Sequence, residues 1–235
     1  MIGFDRPLRP SWIYKTLNII RPGTLISEYY TPFEDITREL TGREGKRKVR
    51  TVLFRSFIYS VQRDTKMVEN SPFIKWAQRF DLNTLIPIFF AKLLMDYDVL
   101  RFASSKIAAY ADNSSLLNTN HFMNKVIQEY GDRDVVHRSL RSFFKTLEYF
   151  NLARKVTPTE IEISGRYSLN KEQAKMFLQL YSICYLKSKM VDLNHLESSI
   201  MMYFRELPVQ STAREFHGIS WEYIREPSRE ILLMK

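Results

Sequence analysis

The chain carries a single cysteine, Cys184, among 235 residues. This excludes an intrachain disulfide framework and any zinc site built from several cysteines. Histidine is scarce too: His121, His137, His195 and His217 are the whole set, and no two lie four apart. A helical HExxH-type metal site is thereby excluded. Glycine (7) and proline (9) are few. Sandwiches, barrels and dinucleotide-binding folds need many tight turns, so the expected class is mostly α. Long apolar runs are absent. The strongest, Leu85 to Met95, is interrupted by Pro87 and Lys92 and falls short of the about 20 residues of a span, so it reads as a core helix. Met1 to Pro10 holds charges and two prolines, unlike a secretory signal. These absences predict a soluble, cytoplasmic protein with no membrane span, metal or cofactor.

Enzyme signatures are missing as well. G-x-x-x-x-G-K-[ST], G-x-G-x-x-G and G-x-S-x-G do not occur. Glu160 and Glu162 share one face of an expected strand, but no lysine follows at the spacing of a metal-dependent nuclease. The expectation is a protein without catalysis. What is present is positive charge: 35 Lys and Arg against 26 Asp and Glu, a net +9. Such a surplus favours an anionic partner, nucleic acid or an acidic surface. Aromatic residues make up 14% of the chain, and most fall at helical spacings that suit a core.

Along the chain, helical spacing predicts a short helix through Trp12, Leu17 and Ile20. A second runs through Leu25, Ile26, Tyr29 and Tyr30, and Pro32 breaks or restarts it before Ile36 and Leu40. A third begins near Glu44 and carries Val49, Val52, Leu53, Phe57 and Val61. Helices over 72–80, 83–97 and 99–110 follow. Asp112-Asn113-Ser114-Ser115 is the clearest linker, dividing a helical region (1–112) from a second region (113–235); a break just before Leu82 is the other choice. Thr119–Tyr130 reads as a helix ended by Gly131 in the C′ position. Asp132 is placed to cap the next, which runs to about Asn151. Ala153–Val156 and Glu160–Tyr167 read as two strands joined at Thr157-Pro158-Thr159. Helices over 171–189 and 191–205 and a terminal β-hairpin over 219–233 complete the reading.

The segment 132–151 carries the functional argument. Val136, Leu140, Phe143, Phe144 and Leu147 form one apolar stripe, while Arg138, Arg141, Ser142, Lys145 and Tyr149 collect opposite. Cations on a helix can neutralise phosphates, and arginine can bind guanine bidentately. Helix, glycine-containing turn, amphipathic helix and hairpin is the order of a winged helix-turn-helix. Across 132–155 there are six cations against three acids. Arg154 and Lys155 enter the expected wing and Arg166 lies on its return strand, placed for phosphates beside the groove. A second basic cluster, Arg43, Lys46, Arg47, Lys48 and Arg50, contains only Glu44 as an acid. At a helix N-terminus these cations oppose the dipole, and a bound phosphate would relieve them; in a loop they are merely solvated.

Leu100–Lys155 resembles the small BrxA component of BREX phage-defence systems. The residues that carry the likeness are Val135-Val136-His137-Arg138-Ser139-Leu140 and Leu147-Glu148-Tyr149-Phe150-Asn151-Leu152. It covers about a quarter of the chain. It implies a DNA-binding protein that works with larger defence proteins, and it assigns no site residue. The expected function is non-catalytic binding of duplex DNA. The alternatives are a helical adaptor whose basic faces bind an acidic protein, and an RNA-binding helical protein.

Overall fold

The computed structural model describes residues 3–59, 66–111 and 116–235. Pro10 opens the first helix, α1 (Pro10–Ile19), where its fixed φ suits a first turn. A 3-10 turn (Ile26–Tyr29) leads into α2 (Tyr30–Ile36), so Pro32 sits in a first turn and restarts the helix. α3 (Arg43–Phe57) follows Gly42, whose φ of +84° favours glycine. Ser71 caps α4 (Pro72–Arg79) by accepting from the Phe73 N–H at 3.3 Å. Asp81 caps α5 (Leu82–Asp96) through the Thr84 N–H at 2.8 Å, and α6 (Asp98–Ala111) follows.

From Leu85 to Met95 α5 is apolar on nearly every side and almost wholly buried, as such a helix must be. Its neighbouring phenylalanines point to different partners. Phe89 meets Phe57 and Phe73 of α3 and α4, while Phe90 meets Phe143, Phe150, Tyr167 and Tyr203. The apolar run therefore joins the two regions. One continuous core extends from Phe4 to Leu232 and draws on both sides of the expected 112/113 boundary, which itself lies outside the described residues, as does Val61.

After α6 comes β1 (Leu116–Asn118), then α7 (Thr119–Tyr130), α8 (Asp134–Tyr149), β2 (Ala153–Thr157) and β3 (Glu160–Ile163). The three strands form an antiparallel sheet in the order β1-β3-β2, with Leu117 opposite Ile161 and Arg154 opposite Glu162. β4 (Tyr167–Ser168) precedes α9 (Lys171–Leu180), a π-helical turn (Tyr181–Leu186), β5 (Met190–Asp192) and α10 (Ser198–Met201). Then come β6 (Phe204–Glu206), parallel to β4, α11 (Val209–Glu215), β7 (Trp221–Arg225) and β8 (Glu230–Met234). β7 and β8 are the terminal hairpin, and β5 joins them in the order β5-β8-β7. The chain is mostly α, with small sheets.

Four local expectations are corrected. The helix over 191–205 is replaced by β5, α10 and β6. Val191 is fully buried by pairing opposite Leu232, and Asp192 turns the chain by accepting from Asn194 N–H at 2.9 Å. The helix over 171–189 stops at Leu180 and becomes π-helical, ending at Lys187 with φ +52°. The wing's return strand ends at Ile163, so Arg166 lies beyond it rather than on it. Finally, α8 has Arg133 at its N-cap; Asp132 instead holds the His137 ring, Oδ1 to Nε2 2.7 Å.

Candidate nucleic-acid interface

α8 is shaped by two buried faces. Val136, Leu140, Phe143 and Leu147 are fully inaccessible and Phe144 nearly so; they form the expected core stripe. A second stripe, Val135, Ser139, Ser142, Thr146 and Tyr149, is buried or half-buried, and Val135, Thr146 and Tyr149 of it meet the N-terminal segment. Thr146 Oγ1 accepts from the Leu8 N–H at 3.2 Å. Tyr149 meets Trp12 edge-on at 6.4 Å, and the Arg9 guanidinium lies 4.6 Å from its ring centre. Gly3 sits against Val135, where a Cβ would come within 3.9 Å of a methyl. Small hydroxyl side chains at 139, 142 and 146 let that segment approach closely. Ser139 and Thr146 return their hydroxyls to the carbonyls of Val135 and Ser142, four residues back.

This corrects part of the expected DNA-facing set. Ser142 is 6% exposed and Tyr149 is half-buried against Trp12, so neither belongs to an open face. Arg138, Arg141 and Lys145 remain exposed, at i, i+3 and i+7. The face also contains acids. Arg138 lies 3.6 Å from Asp134, and Lys145 lies 2.6 Å from Glu148. Arg141 has no ion-pair partner among the described residues. Exposed pairs of this kind are worth about 0–1 kcal/mol, so a phosphate can displace them at small cost.

The end of α8 fixes the wing. Asn151 takes the left-handed conformation at φ +56°. Leu152 N–H bonds the Leu147 carbonyl at 2.9 Å and Asn151 N–H bonds that of Glu148 at 3.1 Å, closing the last turn as a Schellman motif. Gly165 then packs against this turn so closely that a Cβ would fall 2.2 Å from the Asn151 carbonyl oxygen. Tyr167 adds a hydroxyl bond to the Phe150 carbonyl at 2.6 Å. The β2–β3 hairpin is thus held in a set direction from α8. On it, Arg154 is exposed and bound to Glu162 at 2.6 Å, while Lys155 is exposed without an ion pair among the described residues. Glu160 accepts from Thr157 Oγ1 at 3.2 Å, so both wing carboxylates have partners. Arg166, exposed, lies just past the end of β3 and lines a cleft of about 120 Å³ together with Ile163 and Arg205.

The second basic cluster does open a helix: α3 starts at Arg43. Most of its members have work within the fold. Lys46 Nζ donates to the Glu34 carbonyl at 3.3 Å, one of the open carbonyls at the end of α2. Arg47 binds Glu44 at 3.0 and 2.8 Å, which holds that carboxyl below its ordinary range. The Arg50 guanidinium covers the Tyr30 ring at 3.7 Å. Of this cluster, Arg43 and Lys48 are exposed and have no ion-pair partner among the described residues. The structure reverses one consequence of the sequence pattern. Lys46→Met should lower stability by about 0.3–1 kcal/mol, because it removes a cation from a helix C-terminus. Lys48→Met should leave stability unchanged or raise it. Urea denaturation midpoints of the two variants check this.

No protein-family model, curated protein or solved structure matches this chain. Among the described residues no helix is long and apolar enough to cross a membrane.

Proposed function

We propose that residues 98–163 form a winged helix-turn-helix and that this protein binds duplex DNA through the exposed stripe of α8, without catalysis. The observation that carries the reading is the order α6-β1-α7-α8-β2-β3 with its sheet order β1-β3-β2. That arrangement sets a helix bearing Arg138, Arg141 and Lys145 beside a hairpin bearing Arg154 and Lys155. The helix supplies cations at major-groove spacing, and the hairpin supplies cations to the flanking backbone. The net charge of +9 adds a long-range attraction for a polyanion. The likeness to the BrxA component suggests such binding in phage defence, with larger defence proteins as partners.

Replacing Arg138, Arg141 and Lys145 together by alanine tests the reading. Duplex affinity should fall at least tenfold, about 1.4 kcal/mol. The slope of log K against log salt should shrink by about 0.9 for each phosphate the variant no longer neutralises. The far-UV spectrum should be unchanged, since all three side chains are exposed. A folded triple variant that binds duplex as tightly as the parent would reject the assignment. Competition by unlabelled duplex, RNA and heparin decides between the duplex reading and its rivals: equal displacement by all three polyanions would favour an adaptor with a generic basic face.

A further inference from the structure

A cavity of about 620 Å³ lies between α4, the π-helical turn and β8. None of its lining residues comes from α7, α8 or the β1-β3-β2 sheet. Its size falls within the about 300–1,000 Å³ of small-molecule sites. Four lysines border it, Lys75, Lys187, Lys189 and Lys235, and no carboxylate side chain is among its lining groups. Lys235 is bound to Glu222 at 3.0 Å. The other three are exposed and have no ion-pair partner among the described residues. Ammonium groups gathered this way repel one another until an anion enters.

Apolar surface makes up most of the wall, and the apolar side chains that line it are few and partly aromatic: Pro72, Trp76, Ile183 and Met234. Trp76 is half-buried and braced edge-on by Phe73 at 5.4 Å. Ile183 is 60% exposed, an unusual state for isoleucine beside a cavity. Gln179 and Ser220 add polar groups. A flat heteroaromatic body joined to an anion satisfies this wall better than an acyl chain, which would leave the amide and hydroxyl unmatched.

The lysine-bearing loop is held in place. Ser182 Oγ donates to the Ser188 carbonyl at 2.5 Å, Ser188 N–H returns a bond to the Ser182 carbonyl at 3.2 Å, and Met234 N–H bonds the Lys189 carbonyl at 2.8 Å. Lys187 is held left-handed at φ +52°, a strained state for a residue with a Cβ. It closes the π-helical turn, an element that recurs at functional sites.

We infer that this cavity binds a nucleoside phosphate, with its base on Trp76 and its phosphates on Lys75, Lys187 and Lys189. The inference does not rest on duplex binding by α8. Calorimetric titration of the full chain with ADP tests it. One-to-one binding is expected. It should weaken at least tenfold in the Lys75→Ala, Lys187→Ala, Lys189→Ala triple variant and in Trp76→Leu, and stay as it was when Arg138, Arg141 and Lys145 are alanine. The lysine variant keeps the test valid if Trp76→Leu fails to fold, because its three side chains are exposed. Pyrophosphate and adenosine should each bind at least tenfold more weakly than ADP. No saturation by about 1 mM ADP, equal affinity for pyrophosphate or for adenosine, tighter binding of laurate than of ADP, or an equal loss in the α8 variant would each overturn the assignment.

Discussion

Phe143→Ala should cost about 3–5 kcal/mol of stability. Phe143 is fully buried and stacks on Phe90 at 6.5 Å with the rings 9° from parallel. Phe90 in turn touches Phe150 and Tyr203, so truncation opens a void where α5, α8 and the C-terminal region meet. Surrounding helices cannot collapse into that void without giving up packing of their own. Arg141→Ala, two residues away and exposed, should change stability by no more than about 0.5 kcal/mol. Urea denaturation reads both: the midpoint should fall sharply for Phe143→Ala with the slope preserved. Similar small losses at both positions would mean that α8 is not packed in this phase.

Lys92→Met should be equally damaging near neutral pH, and its effect should depend on pH. The Lys92 ammonium binds the Asp96 carboxylate one turn further along α5, and the two side chains are only 11% and 13% exposed. Burial pushes the Asp96 carboxyl above its ordinary range, against the pull of Lys92. Removing the ammonium leaves a buried carboxylate without its ion-pair partner, with only the weaker pull of Arg101 among the described residues, at a cost of about 3–5 kcal/mol. The folded-state pKa then rises further above the unfolded value. For an acid shifted upward, the penalty is complete above the folded pKa and vanishes below the unfolded one. The deficit of Lys92→Met should therefore shrink as pH falls from neutral toward the ordinary carboxylate range. Lys92→Met combined with Asp96→Leu should recover most of the loss at neutral pH, since a buried pair can be replaced by apolar groups of similar volume. A deficit independent of pH would show that Asp96 has another way to hold its charge.

Elements with a strong local signal are legible from residues alone. α1 begins at Pro10, α7 ends before Gly131, and the Leu85–Met95 run lies within a central helix. The terminal hairpin is legible from its strands and the intervening Pro227. β1 has only three residues, too few to show alternation; it exists because β3 offers it an edge. Val191–Arg205 has apolar spacing compatible with a helix, but β8 supplies a pairing edge and Val191 takes it. Gly165 reads as an ordinary loop residue. Only the approach of the Asn151 carbonyl reveals why a side chain has no room there.

At the candidate interface, residue order is enough to place the apolar stripe of α8 and the exposed cations Arg138, Arg141 and Lys145, because both follow from the helical period. The surplus of positive charge is equally a property of composition. Which polar residues of that helix are free is a matter of tertiary packing. Ser142 reads as part of a polar face, yet it is buried together with Ser139 and Thr146, on a side of α8 that a chain segment more than a hundred residues earlier approaches at Thr146. Their small size is what permits that approach, and the hydroxyls of Ser139 and Thr146 satisfy themselves on the helix backbone. Long-range packing likewise decides the fate of the Arg43–Arg50 cluster, where Lys46 reaches the end of α2 and Arg50 covers Tyr30. A helical wheel orders residues around an axis; which arcs of it meet solvent depends on what the rest of the chain lays against them.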